Sequence, residues 1–149
     1  QKATELGVNV IQPLVTERVD VKLNAERREK KFAHWQATLI GACEQSGRCV
    51  LPLLQPLKTI EQWLPNDNSD CKLVLRATAD SFNQVKSHFT ATPQSASVII
   101  GPEGGLSSEE IAAAVVQGYH PVGFGARILR TETAPIVALS LLQASWGDF

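Results

Sequence analysis

An α/β fold with a largely parallel sheet is the architecture this sequence predicts. Strand-like and helix-like segments alternate along its whole length. Ser97-Val-Ile-Ile100 opens a short unbroken apolar run, the pattern of a parallel strand covered on both faces. Two glycine-bearing loops, at 101–105 and 123–133, each follow an apolar run and lead into a helix-like segment, as strand–loop–helix units do.

Taken in order, Gln1-Lys-Ala-Thr-Glu-Leu-Gly7 reads as the closing turns of a helix with Gly7 at its C-cap position. Val8 to Val15 is rich in β-formers, and Pro13 puts that strand at an edge or near a strand end. Asn24 is the candidate N-cap of a long helix reaching about Ser46. The polar stretch 26–31 is followed there by Phe32, Trp35, Leu39 and Ala42 at helical spacing. Cys49 to Leu54 reads as a second strand, Ile60 to Leu64 as a short helix, and Pro65 to Asp70 as a loop. Lys72 to Arg76 is a third strand, Ser81 to Phe89 a short helix, and 90–95 a loop before the buried strand.

Ser107-Ser-Glu-Glu110 is a capping box, with Ser107 as N-cap and Glu110 reaching back, for a helix that ends at Gly118. Pro121 to Phe124 is a last short strand. Thr131 is the expected N-cap of a final helix to about Trp146, with Pro135 in its first turn. That helix is apolar nearly all round, from Ala134, Ile136, Val137 and Leu139 to Leu141, Leu142 and Trp146, so it needs burial on most sides. A second copy of the chain is the expected cover.

The 149 residues make one domain by length, with an ordinary 44% of hydrophobic residues. A net charge of −1 gives no global attraction to nucleic acid, although residues 1–48 carry +2 and the remainder −3. Three cysteines without a C-x-x-C argue against a disulfide framework or a zinc cluster and fit a reducing cytoplasm. His34, His88 and His120 stand apart in the sequence, so no metal site or histidine triad is expected. No apolar run reaches the ~18 residues of a membrane span. The chain opens at Gln1 and contains no methionine, which reads as a fragment or a processed product.

The chemistry concentrates in the two loops. Gly101-Pro-Glu-Gly-Gly105 sits where open α/β sheets bind ligands, past the carboxyl end of a strand. It matches neither the dinucleotide fingerprint nor the P-loop. Glu103 repels a phosphate and suits a ligand with hydroxyls or positive charge; S-adenosylmethionine has both. A plain tight turn explains the same residues. In Gly123-Phe-Gly-Ala-Arg-Ile-Leu-Arg-Thr-Glu-Thr133, Gly123 and Gly125 leave room for a flat ring, and Ile128 with Leu129 offers an apolar wall. Arg130 and Glu132 precede a helix start, where they form either reactive groups or a structural ion pair. Glu44-Gln-Ser-Gly-Arg48 closes the long helix; Arg48 meets either helix carbonyls or RNA, and Arg18 has the same two readings. The charged run at 26–31 reads as a solvated helix face.

Four motifs together carry a resemblance: Gln1-Lys-Ala-Thr-Glu-Leu-Gly-Val8, Glu44-Gln-Ser-Gly-Arg48, Ile100-Gly-Pro-Glu-Gly-Gly105 and Arg127-Ile-Leu-Arg-Thr-Glu-Thr-Ala134. In this order they closely resemble the RsmE family, SPOUT-superfamily enzymes that methylate N3 of a uridine in small-subunit (16S) ribosomal RNA. The resemblance spans essentially the whole chain. It implies an α/β knot whose C-terminal segment threads through a loop to form the donor pocket, and a homodimer with that pocket near the interface. It also implies a PUA-like N-terminal RNA-binding domain that this chain lacks, so that 1–149 is the SPOUT domain alone.

Carried over by position, the S-adenosylmethionine pocket takes Leu75, then Gly101, Pro102, Glu103, Gly104 and Gly105. From the second loop it takes Phe124, Gly125, Arg127, Ile128, Leu129, Arg130 and Thr133. Arg18, Glu44, Gln45 and Arg48 are the RNA-binding candidates. Leu75-Arg-Ala-Thr78 and Gly123-Phe-Gly-Ala126 depart from the residues frequent in the family. For the reaction, Arg130 would stabilise the anion developing on the uracil oxygens and Glu132 would accept the N3 proton. Rival readings are a SPOUT methyltransferase for another RNA site, a non-catalytic RNA-binding or dimerisation module, and a nucleotide-phosphate binder.

Overall fold

A computed structural model describes residues 1–19 and 25–149. Its elements are α1 (Lys2–Glu5), β1 (Val10–Ile11), β2 (Leu14–Val15), α2 (Ala25–Ser46), β3 (Leu53–Leu54) and β4 (Lys58–Thr59). There follow α3 (Ile60–Trp63), β5 (Cys71–Leu75), α4 (Phe82–Lys86), β6 (Ala96–Ile99), α5 (Ser108–Val116), β7 (His120–Val122) and α6 (Thr133–Trp146). Among the described residues every strand pairing is parallel. The α/β architecture with a parallel sheet is therefore as the sequence predicts. No helix of the described residues is long and apolar enough to cross a membrane.

The central sheet has the order β6-β5-β7. Strand alternation gives β5 two buried faces. Val74 joins Ile99, Ile60, Leu64, Leu106, Ala114 and Tyr119 on the side of α3 and α5. Cys71 and Leu73 join Val122 with Phe82 and Val85 of α4 on the other, where Leu141, Leu142 and Trp146 of α6 also pack. A strand enclosed this way is apolar on both faces except at Lys72, whose Nζ reaches the Gln117 carbonyl at 3.3 Å. Burial pushes the Cys71 thiol up to about 11 and keeps it protonated at neutral pH.

One predicted strand and the segment that faces it are broken, for the same reason. Val8 to Val15 divides at Pro13 into β1 and β2, and the facing segment divides at Pro56 into β3 and β4. Proline has no amide to give to a ladder. The Gln12 side chain fills both gaps, donating from Nε2 to the carbonyls of Pro13 (2.8 Å) and Pro56 (2.7 Å). Of the strand expected at Cys49 to Leu54, only Leu53–Leu54 pairs, since Pro52 interrupts the ladder.

The helix ends follow local chemistry. Ser107 and Glu110 form the expected capping box at α5. Gly7, Gly47 and Gly118 all stand at positive φ just past helices, as C-cap glycines do. The N-cap expected at Asn24 lies outside the described residues. Thr131 is not the cap of α6: the N-cap is Glu132, without a side-chain bond. The Arg130 carbonyl instead takes the amides of Thr133 and Ala134, each at 3.0 Å. This leaves the hydroxyl at 131 without a capping task.

A buried polar knot stiffens the α3 side. Asp67, 6% exposed, accepts from the Ser69 amide (3.0 Å), the Ser69 hydroxyl (2.7 Å), and the hydroxyls of Ser97 and Tyr119. Trp63 Nε1 donates in turn to the Tyr119 oxygen at 3.1 Å. Burial raises the Asp67 carboxyl, but these bonds outweigh it and hold the group below its ordinary value; burial and the facing carboxylate push the Tyr119 phenol up.

Candidate active site

Parallel pairing makes β5, β6 and β7 end on the same side of the sheet. The chain leaves β5 for β6 on one flank and returns through α5 to β7 on the other, so its order reverses about β5. A crevice beyond the carboxyl ends at such a reversal is the standard ligand position in open α/β sheets. Here a cavity of about 550 Å³ occupies it, with Leu75, Ile100 and Phe124 from the three strand ends in its lining. That volume falls within the roughly 300–1,000 Å³ usual for small-molecule sites.

Both glycine loops reach this cavity. The first is a tight turn: Gly105 donates its amide to the Pro102 carbonyl at 2.8 Å and stands at φ +69°, a conformation that side chains other than glycine resist. Gly101, Pro102, Glu103 and Gly105 line the cavity; Gly104 instead meets Arg18, whose Nη1 donates to its carbonyl at 2.7 Å. From the second loop come Arg127, Ile128, Leu129, Arg130 and Glu132. Ile128 is 88% exposed, a large apolar side chain on the wall with no protein cover. Gly125 stands at φ +87° in the turn that follows Phe124, outside the lining, as does Thr133, the first residue of α6.

Gly123 has a different reason from the one its sequence suggests. Its amide donates to the Asp80 carbonyl at 2.8 Å, and a Cβ there would lie 2.9 Å from the Ala79 oxygen. The space belongs to the protein's own main chain, not to a flat ring. The lining residues Ala77, Ile100, Leu106, Thr131 and Ala134 escape sequence reasoning. Ile100, Thr131 and Ala134 lie inside the two motifs and Leu106 borders the first, and that membership is the one signal that could have found them.

Arg130 and Glu132 are brought together at the cavity. Arg130 Nη1 lies 3.9 Å from Glu132 Oε1, with the side chains 85% and 70% exposed. A pair this long and this hydrated holds little stability. Both side chains are therefore open to a ligand rather than committed to the fold.

The RNA candidates divide. Arg18 stands at the first loop. Arg48 donates from Nη1 to the carbonyls of Thr4 and Val8, each at 2.8 Å, so its guanidinium closes the carbonyl end of α1 rather than that of α2. Glu44 and Gln45 are exposed on the last turn of α2. His88 and His120, distant in sequence, face each other with ring centroids 5.7 Å apart. Among the described residues no group of three or more His, Cys, Asp or Glu is placed to hold a metal. A second cavity, about 510 Å³, lies among Thr16, Glu17, Glu61 and Glu109; its carboxylates repel a polyanion, and of the expected site residues none lines it.

Comparison with known proteins agrees with this geometry. A family model described as an RNA methyltransferase domain matches residues 1–143. The ribosomal RNA small subunit methyltransferase E of Buchnera aphidicola (subsp. Schizaphis graminum) is 35% identical over 99% of this chain and 59% of its own length. That of Bacillus subtilis is 36% identical over 96% and 58%. Among solved structures, a Legionella pneumophila methyltransferase in complex with the cofactor SAM superposes with a TM-score of 0.92 at 43% identity, over 100% of this chain and 60% of that one. The ribosomal RNA small subunit methyltransferase E of Neisseria gonorrhoeae, bound to S-adenosyl methionine, gives 0.88 at 38%, over 99% and 60%. The chain thus spans about three-fifths of the length of these relatives. The resemblance to RsmE proteins read from four motifs holds along the chain, and the chain belongs to the RNA methyltransferase domain family.

Proposed function

We propose that this chain is the donor-binding, catalytic part of an S-adenosylmethionine-dependent methyltransferase that modifies N3 of a uridine in 16S ribosomal RNA. One observation carries the reading: two loops 20 or so residues apart in sequence meet around a single cavity at the carboxyl ends of three parallel strands. The lining fits the cofactor. Ile128 offers an uncovered apolar wall of the kind an adenine ring packs on, and Glu103, exposed at the rim, favours hydroxyls and positive charge over phosphate. The relatives' names and their SAM-bound structures support the same choice.

When bound, the cofactor would supply an electrophilic methyl group on a sulfonium, its carbon–sulfur bond breaking with the electron pair left on a neutral thioether sulfur. The protein's work is on the acceptor. A uracil N3–H is a poor nucleophile until its proton leaves. Glu132, exposed beside the cavity, would take that proton onto its carboxylate and so free the N3 lone pair. Arg130 stabilises the charge that gathers on the flanking carbonyl oxygens, as an oxyanion hole does. Leu75, Gly101 to Gly105, Phe124, Gly125, Arg127 to Arg130 and Thr133 are assigned to the donor side, and Glu44 and Gln45 to RNA, whereas Arg48 is committed to the carbonyls of Thr4 and Val8.

The same reading includes a homodimer, a PUA-like RNA-binding domain outside this chain, and work in the cytoplasm. It also includes an α/β knot, as the resemblance to the RsmE family implies. The test is methylation of 16S RNA by the full-length protein, with the product nucleotide mapped by reverse-transcription arrest. Arg130→Ala should lower turnover by about 10²-fold, much more than it weakens calorimetric SAM affinity. Near-normal turnover removes Arg130 from the reaction.

A further inference from the structure

We infer that Arg18 is a positioning residue for the donor pocket: it clamps the Gly101–Gly105 loop from outside and fixes the shape that the loop presents to the cavity. The inference rests on the proposed donor-binding function. Arg18 lies just past β2, yet its Nη1 donates to the Gly104 carbonyl at 2.7 Å, across 86 residues of sequence. The contact is more than one bond. A Cβ built on Gly104 would sit 3.5 Å from Arg18 Cβ and 3.7 Å from its Cδ, so the loop lies along the aliphatic stem while the tip holds its oxygen.

The arm also has a fixed shoulder. The Glu17 amide donates to Glu110 Oε1 at 2.7 Å, and Glu110 Oε2 accepts the Ser107 amide at 2.8 Å. Glu110 is 5% exposed. One buried carboxylate therefore ties the residue before Arg18 to the first turn of α5, the helix that the loop enters. The loop is held at its exit by the capping box and at its crown by Arg18. Between them, Glu103 and Gly105 line the cavity while Gly104 does not. With the Gly104 carbonyl held outward, the chain direction at its two neighbours is set before any ligand arrives, which is preorganisation in the strict sense.

An arginine at this place could instead touch only RNA phosphate, and the two roles separate experimentally. SAM binding to the full-length protein is measured by calorimetry without RNA, for wild type, Arg18→Ala and Arg18→Lys. Arg18→Ala should weaken SAM about tenfold, the size of one charge-assisted hydrogen bond. Arg18→Lys, which keeps one donor, should recover most of the loss. KM for SAM should rise with kcat at saturating SAM nearly unchanged, and the thermal midpoint without ligand should stay close to wild type because Arg18 is exposed. SAM affinity unchanged in Arg18→Ala, with RNA affinity reduced, overturns the inference and leaves Arg18 to the RNA. Absence of saturable SAM binding in the wild type is a different failure, that of the donor-binding function itself.

Discussion

At the scale of single residues, the fold and the site use charge in opposite ways. Asp67 is sealed in and given four donors; Arg130 and Glu132 are left in water with a loose mutual contact. The first arrangement stores stability and the second keeps groups available. Asp67→Asn should therefore destabilise the fold by about 1–3 kcal/mol at neutral pH, because an amide cannot accept from all four partners. The pH dependence follows from the direction of the shift. The Asp67 carboxyl is held below its ordinary 3.8, so its contribution is complete above that value and fades as the pH falls through the lower folded value. Urea midpoints of the two proteins should differ most near neutrality and converge below that ordinary value; a constant gap would show that the charge itself is not what stabilises. The carboxylate's role was not legible in Pro65-Asn-Asp-Asn-Ser-Asp70, which looks like any polar loop. Its partners Ser97 and Tyr119 are 30 and 52 residues away, and no local pattern connects them.

At the scale of elements, what was legible is what depends on neighbours in sequence. Ser107-Ser-Glu-Glu110 announced the start of α5 because both bonds of a capping box close within one turn. The same signal stands unread at Thr59 with Gln62 and at Ser81 with Gln84, which cap α3 and α4. Thr131 misled because an N-cap needs its own side chain on the turn ahead, and here the Arg130 carbonyl reaches those amides first. Gly123 misled because its crowding comes from residues 76–79, brought by the sheet and not by the sequence. The α5 start is also a test of economy, since Glu110 serves the helix and the Glu17 amide at once. Ser107→Ala removes only the cap and should cost about 1 kcal/mol. Glu110→Ala strands the buried Ser107 amide and the part-buried Glu17 amide and should cost more, about 2–4 kcal/mol. Equal losses in chemical denaturation would mean that the Glu17 tie carries nothing.

At the scale of the whole molecule, the unfinished surface is α6. Within the chain it buries Ala134 and Ala138, 1% exposed each, and sends Leu141, Leu142 and Trp146 into the cluster around Phe82. Gln143 ties its far end to the Leu6 carbonyl at 3.0 Å. Those contacts leave Ile136, Val137 and Leu139 half-buried, in the helix that continues directly from Ile128 and Arg130 of the cavity. Half-buried apolar side chains of this kind offer a surface that a second copy can cover. A second copy related by a two-fold axis would lay stripe on stripe and bring each cavity beside the junction. Sedimentation velocity of the full-length protein should then show a dimer at micromolar concentration. Val137→Glu would place a charge in the seam, so the variant should sediment as a monomer, and its SAM affinity should fall in step because the wall of the cavity loses its support. A wild-type monomer at every concentration would remove the dimer. A monomeric variant with intact SAM affinity would keep the dimer but separate it from the pocket.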